Sequence, residues 1–231
     1  MSRADLGKEP DEVASMFDAV ARRYDLVNDL LSLGRTKAWR KKVVKIINPA
    51  NGMKILDIAA GPGSSSEPLY KAGAEVISLD FSDGMLEQGK RARPYLTFVK
   101  GDALKLPFKE NEFDVTTISF GLRNTKDYEV ALREALRVTK VGGRMVIVEF
   151  STPTFLPFKK LYMNYLMKYL PKIAKRTASN PVAYEYLAES IRAWPDQGKL
   201  AQIMSSNGWH DPKWTNLTGG VVAVHTGIKR S

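Results

Sequence analysis

Four short apolar segments of the 231-residue chain end in a polar residue: Asp57, Asp80, Asp102 and Ser119. Parallel strands place their carboxyl ends at one edge of a sheet, where open α/β sheets bind ligands. Asp80 follows a glycine loop by about 20 residues, the distance at which an acidic residue binds ribose hydroxyls in nucleotide-binding folds. Each aspartate alone could be a helix N-cap or a turn residue. The four positions together predict one ligand site.

The glycine loop lies in "LDIAAGPG" (56–63), where Gly61 and Gly63 let the backbone turn tightly and approach a ligand. A hydride-transfer enzyme is the competing interpretation, but its G-x-G-x-x-G pattern cannot be placed on "AAGPGSSS". Asp57, an acidic residue at the first strand itself, suits a cofactor that brings a positive charge and an amino group to the loop. We therefore predict S-adenosylmethionine as the cofactor.

A second polar group follows the fourth apolar segment, in "SFGLRNTKD" (119–127). Arg123 and Asn124 come just past a predicted strand end, so we expect them beside the ligand. The alternative is that Arg123 forms an ion pair with Asp127 at the start of the next helix.

The hydrophobic pattern predicts an α/β fold. Strands are expected over 53–59, 75–80, 96–102, 113–119 and 144–150, with helices over about 65–72, 83–93 and 127–139. Strands that alternate with helices form parallel sheets. A helical segment (11–47) precedes them, and helices (155–193 and 196–207) and two strands (213–218 and 219–230) follow. The last two strands predict an antiparallel hairpin that completes a mostly parallel, Rossmann-like sheet.

Composition limits the function classes. The chain has no cysteine and two histidines, His210 and His225, so we predict no disulfide and no metal site. No signal peptide and no apolar run of about 20 residues is visible, so we expect a cytoplasmic protein. The net charge of +10 indicates either a polyanionic partner or a solvated basic surface.

One basic stretch contains no acidic residue at all, from Phe150 to Tyr184. Apolar side chains repeat in it at helical spacing, which is typical of a buried lid helix or of a membrane contact. Its basic residues are Lys159, Lys160, Lys168, Lys172, Lys175 and Arg176, and its apolar ones include Phe158, Leu161, Tyr162, Tyr165, Leu166 and Tyr169.

Several long motifs resemble one family. "LDIAAGPG" resembles motif I of class I S-adenosylmethionine-dependent methyltransferases. "YDLVNDLLSLGRTKAW" (24–39) and "RVTKVGGRMVIVEFS" (137–151) are similar to the two signatures of the UbiE/MenG quinone C-methyltransferases, and the likeness covers nearly the whole chain. The chain departs from the family pattern at Val27, Thr36 and Thr139 and within 60–63.

The resemblance implies site residues. Cofactor contacts carry over to Pro62, Asp80, Asp102, Ala103 and Ser119, beside the predicted Asp57, Gly61 and Gly63. Substrate contacts fall on Tyr24, Asn28, Arg123 and Asn124, and catalytic roles on Arg123, Asn124 and Asp25, which is a candidate base.

The resemblance also implies a reaction, the methylation of a ring carbon of a prenylated quinol. In the menaquinone branch of the family, this substrate is demethylmenaquinol. Alternatives are the benzoquinol of the ubiquinone pathway, another small molecule, or a protein that binds the cofactor without turnover. A nucleic-acid methyltransferase fits the charge, but no N-P-P-Y-type motif follows the fourth strand. We expect transient contact with an anionic membrane at its inner face and no nucleic-acid partner, and we leave a homodimer open.

We interpret residues 1–231 as a single methyltransferase domain. Its predicted parts are a helical N-terminal cap (1–50), a cofactor-binding α/β core (51–151), a helical substrate lid (152–195), and a closing helix and strands (196–231).

Overall fold

A computed structural model describes residues 34–169 and 181–230. Their strands form one seven-stranded sheet in the order β3-β2-β1-β4-β5-β7-β6. The first five strands pair in parallel, and β7 pairs antiparallel with both β5 and β6. This topology confirms the predicted sheet with its antiparallel C-terminal hairpin. The strands are β1 (Lys54–Ile58), β2 (Glu75–Asp80), β3 (Thr97–Lys100), β4 (Phe113–Ser119), β5 (Thr139–Phe150), β6 (Trp209–Leu217) and β7 (Val222–Lys229).

Helices pack around these strands, and some of them begin at a side-chain cap. Ser82 accepts a hydrogen bond from the Met85 amide at one helix start, and Asp127 accepts bonds from the amides of Glu129 and Val130 at another. The helices are α1 (Thr36–Ile47), α2 (Ser66–Lys71), α3 (Asp83–Ala92), α4 (Tyr128–Val138), α5 (Leu156–Asn164), α6 (Pro181–Ala193) and α7 (Gln197–Ser206). A π-helical turn, Tyr165–Tyr169, extends α5.

Some boundaries differ from the prediction. β5 begins at Thr139 rather than 144, because the pairing register with β4 shifts between Phe113 and Val115 and lets the glycine-containing start of β5 join the sheet. β6 begins at Trp209 rather than 213, again past a register shift. The predicted strand over 219–230 begins at Val222, because Gly219 and Gly220 adopt positive φ angles in a tight 3-10 turn.

Helices cover both faces of the sheet. On one face, α1 and α2 pack with α5 and α6 around Trp39, Leu69, Val148, Leu166 and Ile191. On the other face, α4 and α7 pack against the sheet through residues such as Leu132, Met204 and Trp209. Both faces are therefore buried, which explains why the parallel strands are continuously apolar in sequence.

Several sequence predictions fall outside the described residues. They are the helical segment before residue 34, with Tyr24, Asp25 and Asn28, and the basic residues Lys172, Lys175 and Arg176. The division into cap, core and lid stays a prediction.

Candidate cofactor and substrate site

The glycine loop turns sharply after β1. Gly61 and Gly63 have φ angles of 56° and 83°, a region that L side chains rarely adopt. A Cβ on Gly63 would lie 2.9 Å from side-chain atoms of Leu96 and of Phe98, so no larger residue fits there without movement. The loop needs glycine for both conformation and space, as the sequence predicts.

Asp80 ends β2 and holds this loop. Its Oδ2 accepts a hydrogen bond of 2.7 Å from the Gly61 amide, and its Oδ1 accepts one of 2.9 Å from the Ser82 amide. A carboxylate accepts up to about four hydrogen bonds, which suits an acceptor of ribose hydroxyls at this strand end. The next residue, Phe81, is an exposed aromatic side chain at the same strand end. The pair fits a nucleoside.

Asp57 is fully buried beneath the loop. Its Oδ2 accepts hydrogen bonds of 2.6 Å from the hydroxyls of Ser65 and Ser66, whereas its Oδ1 has no partner among the described residues. Burial raises the pKa of the Asp57 carboxyl to about 6, although both serine hydroxyls act in the opposite direction. A buried acceptor without a donor, beside the glycine loop, fits the cationic groups of S-adenosylmethionine.

Asp102 and Ala103 follow β3 and are half-buried. The Oδ1 of Asp102 accepts a hydrogen bond of 2.8 Å from the Leu104 amide, which fixes a turn directly after the strand. The order β3-β2-β1-β4 brings Asp102, Asp80, Asp57 and Ser119 to one edge of the sheet, as predicted. In the described ranges, no three acidic or histidine side chains are grouped to hold a metal ion.

An external brace supports the loop. Arg93 donates a hydrogen bond of 3.0 Å to the Pro62 carbonyl and another of 2.8 Å to Glu67. Glu67 also accepts bonds from Lys71 and Tyr95, and the bond from Lys71 contributes most to lowering its pKa to about 2. The Pro62 carbonyl therefore holds the glycine loop in place by accepting the hydrogen bond from Arg93.

An apolar cavity adjoins the loop on the β4–β5 side, with an empty volume of about 750 Å³ that includes its open mouth. Trp39, Phe120 and Phe150 form an aromatic wall, with ring centroids 6.1 Å apart for Trp39–Phe120 and 5.0 Å apart for Phe120–Phe150. Ser119 and the loop residue Ser65 line the same space. We call the sheet edge that carries Asp57, Asp80, Asp102 and Ser119 the cofactor edge, and the cavity meets this edge at Ser119.

Arg123 lies behind that aromatic wall. Its guanidinium forms an ion pair of 2.7 Å with Glu149, donates to the Phe120 carbonyl at 2.8 Å, and lies 5.1 Å from the centroid of the Phe150 ring. Arg123 and Glu149 are only 5% and 1% exposed. The alternative of an ion pair with Asp127 is wrong, because Asp127 caps α4. Nε of Arg123 is buried and has no partner among the described residues.

Asn124 also has internal partners. Its Nδ2 donates a 3.2 Å hydrogen bond to the Phe120 carbonyl, and its Oδ1 accepts one of 3.2 Å from the hydroxyl of Tyr186 in α6. Phe120 itself has a φ of 59°, which is strained for a bulky residue. Arg123 and Asn124 therefore hold Phe120 in place, and a substrate contact by either residue stays a prediction.

Sequence reasoning missed most of the cavity. Trp39, Phe120, Phe150 and Glu149 come from three separate segments, and no local motif indicates that they meet. The sequence predicts Tyr162 of α5 on an apolar helix face, and burial raises the pKa of its hydroxyl although the nearby charge of Arg123 acts against that shift. A long-range contact prediction would be needed to bring these residues together.

Comparison with known proteins identifies the family. The model of the ubiE/COQ5 methyltransferase family matches residues 5–229. Proteins named demethylmenaquinone methyltransferase are 57% identical in Renibacterium salmoninarum, over 99% of this chain and 97% of that protein, and 57% identical in Streptomyces avermitilis, over 99% of each. The Mycobacterium marinum protein of that name is 54% identical over 99% of this chain and 98% of its own length.

Solved structures show the same fold. A SAM-dependent methyltransferase from Thermotoga maritima aligns with a TM-score of 0.66 at 20% identity, over 93% of this chain and 100% of that one. A Haemonchus contortus phosphoethanolamine N-methyltransferase, solved with S-adenosyl-L-methionine, aligns with a TM-score of 0.60 at 16% identity, over 84% of this chain and 53% of that one.

Proposed function

The chain belongs to the ubiE/COQ5 methyltransferase family, and we propose that it methylates a ring carbon of demethylmenaquinol to give menaquinol, using S-adenosylmethionine. One observation supports this most: an acidic edge suited to the cofactor adjoins an aromatic cavity at Ser119. Relatives named for this activity, matched over almost their full length, support the choice of substrate.

The cofactor would lie along the acidic edge. Asp80 would accept hydrogen bonds from the ribose hydroxyls, and Asp102 with the Ala103 backbone would contact the adenine. The free Oδ1 of Asp57 would accept a bond from the amino group, and the turn at Gly61 and Gly63 lets the chain approach it. When bound, S-adenosylmethionine supplies an electrophilic methyl group.

The quinol ring would occupy the cavity. Trp39, Phe120 and Phe150 present flat apolar surfaces that match a naphthoquinol in chemistry, and Ser119 lies at the cofactor side of the cavity. Holding the ring carbon in line with the methyl group and excluding water are the main contributions that such a site can make.

The quinol must also lose a hydroxyl proton, so that its oxygen donates electron density to the ring carbon. Transfer would release S-adenosylhomocysteine, and the methylated carbon would lose its own hydrogen as a proton while the oxygen regains one. We assign Arg123 to stabilise the developing phenolate, directly or through a water molecule, and its Nε–H has no partner among the described residues. Glu149 would act as a positioning residue, since its carboxylate fixes the guanidinium. Asn124, Tyr24 and Asn28 are assigned to the substrate, with Asp25 as the base.

A prenylated substrate resides in a lipid bilayer, which supports a transient contact of the protein with the inner face of the cell membrane. Among the described helices, none combines the length and the apolar character that crossing a bilayer requires. Contact would therefore involve surface side chains.

The proposed function is tested by incubating purified protein with methyl-labelled S-adenosylmethionine and one of three acceptors. These are reduced short-chain demethylmenaquinone, the benzoquinol analogue, and RNA. We expect label on a ring carbon of the naphthoquinol, several-fold faster than on the benzoquinol. Faster labelling of the benzoquinol would assign the chain to the ubiquinone pathway. If neither quinol is labelled, the proposal is overturned.

A further inference from the structure

A second acid-free stretch flanks the cavity. No acidic residue occurs between Asp29 and Asp57, and α1 occupies the middle of this range. The other acid-free stretch, from Phe150 to Tyr184, contains α5. In a chain with 25 acidic residues, α1 and α5 thus carry none.

The outer side of α1 is a row of lysines. Lys37, Lys41, Lys42 and Lys45 are exposed, and none of them has an ion-pair or hydrogen-bond partner in the part of the chain that the structure describes. We call these four residues the lysine face. The inner side of α1 carries Trp39, which lines the cavity. A helix whose exposed charges are all positive places a positive potential next to the cavity.

The start of α5 is unusually apolar at the surface. Phe155, Leu156 and Leu161 are 67%, 69% and 67% exposed, and we call them the apolar tip. Lys160 is exposed beside them. Exposed apolar side chains with adjacent lysines are typical of surfaces that contact lipid rather than water.

One turn contacts both helices. The Nε1 of Trp39 donates a hydrogen bond of 2.9 Å to the hydroxyl of Thr218, and the Thr154 amide donates to the Gly219 carbonyl at 3.3 Å. Phe158 of α5 packs against Gly219, since a Cβ there would lie 3.1 Å from its ring. The turn at 218–220 therefore fixes α1 and the start of α5 on the same face of the sheet.

From this arrangement we infer that the lysine face and the apolar tip together dock the protein on an anionic lipid bilayer. The lysines contact lipid headgroups, and the three apolar side chains insert beside them. This inference rests on the proposed function, because a prenylated quinol reaches the cavity from the bilayer. It adds that α1, rather than α5 alone, provides the electrostatic contact.

The test compares two variants with equal charge changes. The first replaces Lys37, Lys41, Lys42 and Lys45 with glutamine, and the control replaces the exposed lysines Lys90, Lys109, Lys199 and Lys213 with glutamine. Binding to phosphatidylcholine vesicles with and without phosphatidylglycerol is measured by co-sedimentation. Each juxtamembrane lysine contributes about fivefold to binding of an anionic surface, so we expect the first variant to lose at least tenfold and the control less than twofold.

A second variant set tests insertion. Replacing Phe155, Leu156 and Leu161 with serine should leave only electrostatic binding to the vesicles. High salt should abolish this binding, because salt screens electrostatic attraction. Wild-type binding should keep a salt-resistant part. If the serine variant retains that part, the apolar tip does not insert.

Turnover separates this inference from the proposed function. The lysine-face variant should methylate short-chain demethylmenaquinol as wild type does, and long-chain substrate in anionic vesicles at least tenfold more slowly. Unchanged vesicle binding by this variant overturns the inference even when the enzyme is active. If wild-type protein does not bind anionic vesicles but binds an RNA oligonucleotide through the same lysines, the lysine face is a nucleic-acid contact instead. Lack of turnover on the short-chain quinol counts against the proposed function.

Discussion

The cofactor edge and the aromatic cavity meet at Ser119, but they are built in different ways. At the cofactor edge, carboxylates bind backbone amides and hydroxyls close by in sequence, as Asp57 binds Ser65 and Ser66. The cavity is assembled from distant segments, and its wall joins Trp39 to Phe120 and Phe150. The first region is therefore visible as a motif, whereas the second depends on the complete fold.

Charge is also handled differently in the two regions. Asp57 is buried without a cationic partner among the described residues, and desolvation raises its pKa to about 6. Behind the cavity, burial likewise raises the pKa of Glu149, while the charge of Arg123 acts against that shift. The cofactor edge thus keeps an acceptor available for a ligand, and the cavity side neutralises its charge internally.

The largest expected effect concerns the buried pair. Removing one partner of a buried ion pair costs about 3–5 kcal/mol, because the other charge stays buried alone. Arg123→Ala and Glu149→Ala should each lower the free energy of unfolding by about this amount in urea titrations. Glu129→Ala, which removes a half-exposed pair with Arg133, is the control and should cost less than about 1 kcal/mol. A loss below 1 kcal/mol for Arg123→Ala would mean that its role is confined to the substrate.

Next in size is the effect of Asp80 on cofactor binding. Asp80→Ala should weaken binding of S-adenosylmethionine by about 1.5–3 kcal/mol, the range of charge-assisted hydrogen bonds. Calorimetric titration measures it, with Asp83→Ala as the control, since Asp83 is exposed and pairs with Lys100. Equal affinity of a folded Asp80→Ala protein and wild type would remove Asp80 from the site.

Binding should also depend on pH through Asp57. Its carboxyl is ionised above about pH 6 and becomes protonated below that value. Since a cationic ligand favours the ionised form, affinity for S-adenosylmethionine should be constant above pH 7 and should fall by up to about tenfold per pH unit below 6. Asp57→Asn should bind weakly and without this dependence. A wild-type affinity that is flat from pH 7 to pH 5 would contradict the assignment.

The smallest effect concerns the contact between α1 and the 218–220 turn. Trp39→Phe removes the hydrogen bond to Thr218 and keeps an aromatic ring, so stability should fall by about 1 kcal/mol. Trp214→Phe, at a half-exposed residue, is the control and should change stability little. Cofactor affinity should be unchanged in both variants, whereas a loss in Trp39→Phe alone would show that the two regions are coupled.

The sequence alone could predict much of the cofactor edge, because strand ends and glycine loops are local features. Asp57, Asp80, Asp102 and Ser119 lie where the apolar runs end, and parallel pairing brings them together. The start of β5 could not be predicted, since it depends on a register shift against β4. The partner of Arg123 could not be predicted either, because Glu149 belongs to an apolar strand and gives no local signal of its contact.

Single-turnover methylation of short-chain demethylmenaquinol, measured against cofactor concentration, tests the division of the site most directly. The Asp80→Ala variant should need a higher cofactor concentration to react, and at saturating cofactor its rate should approach that of wild type. Phe120→Leu removes one ring of the aromatic wall and keeps an apolar side chain. This variant should bind cofactor as wild type does and react at least tenfold more slowly at any cofactor concentration. If Phe120→Leu reacts at the wild-type rate, or if it weakens cofactor binding as much as Asp80→Ala, the cavity is not a separate quinol site.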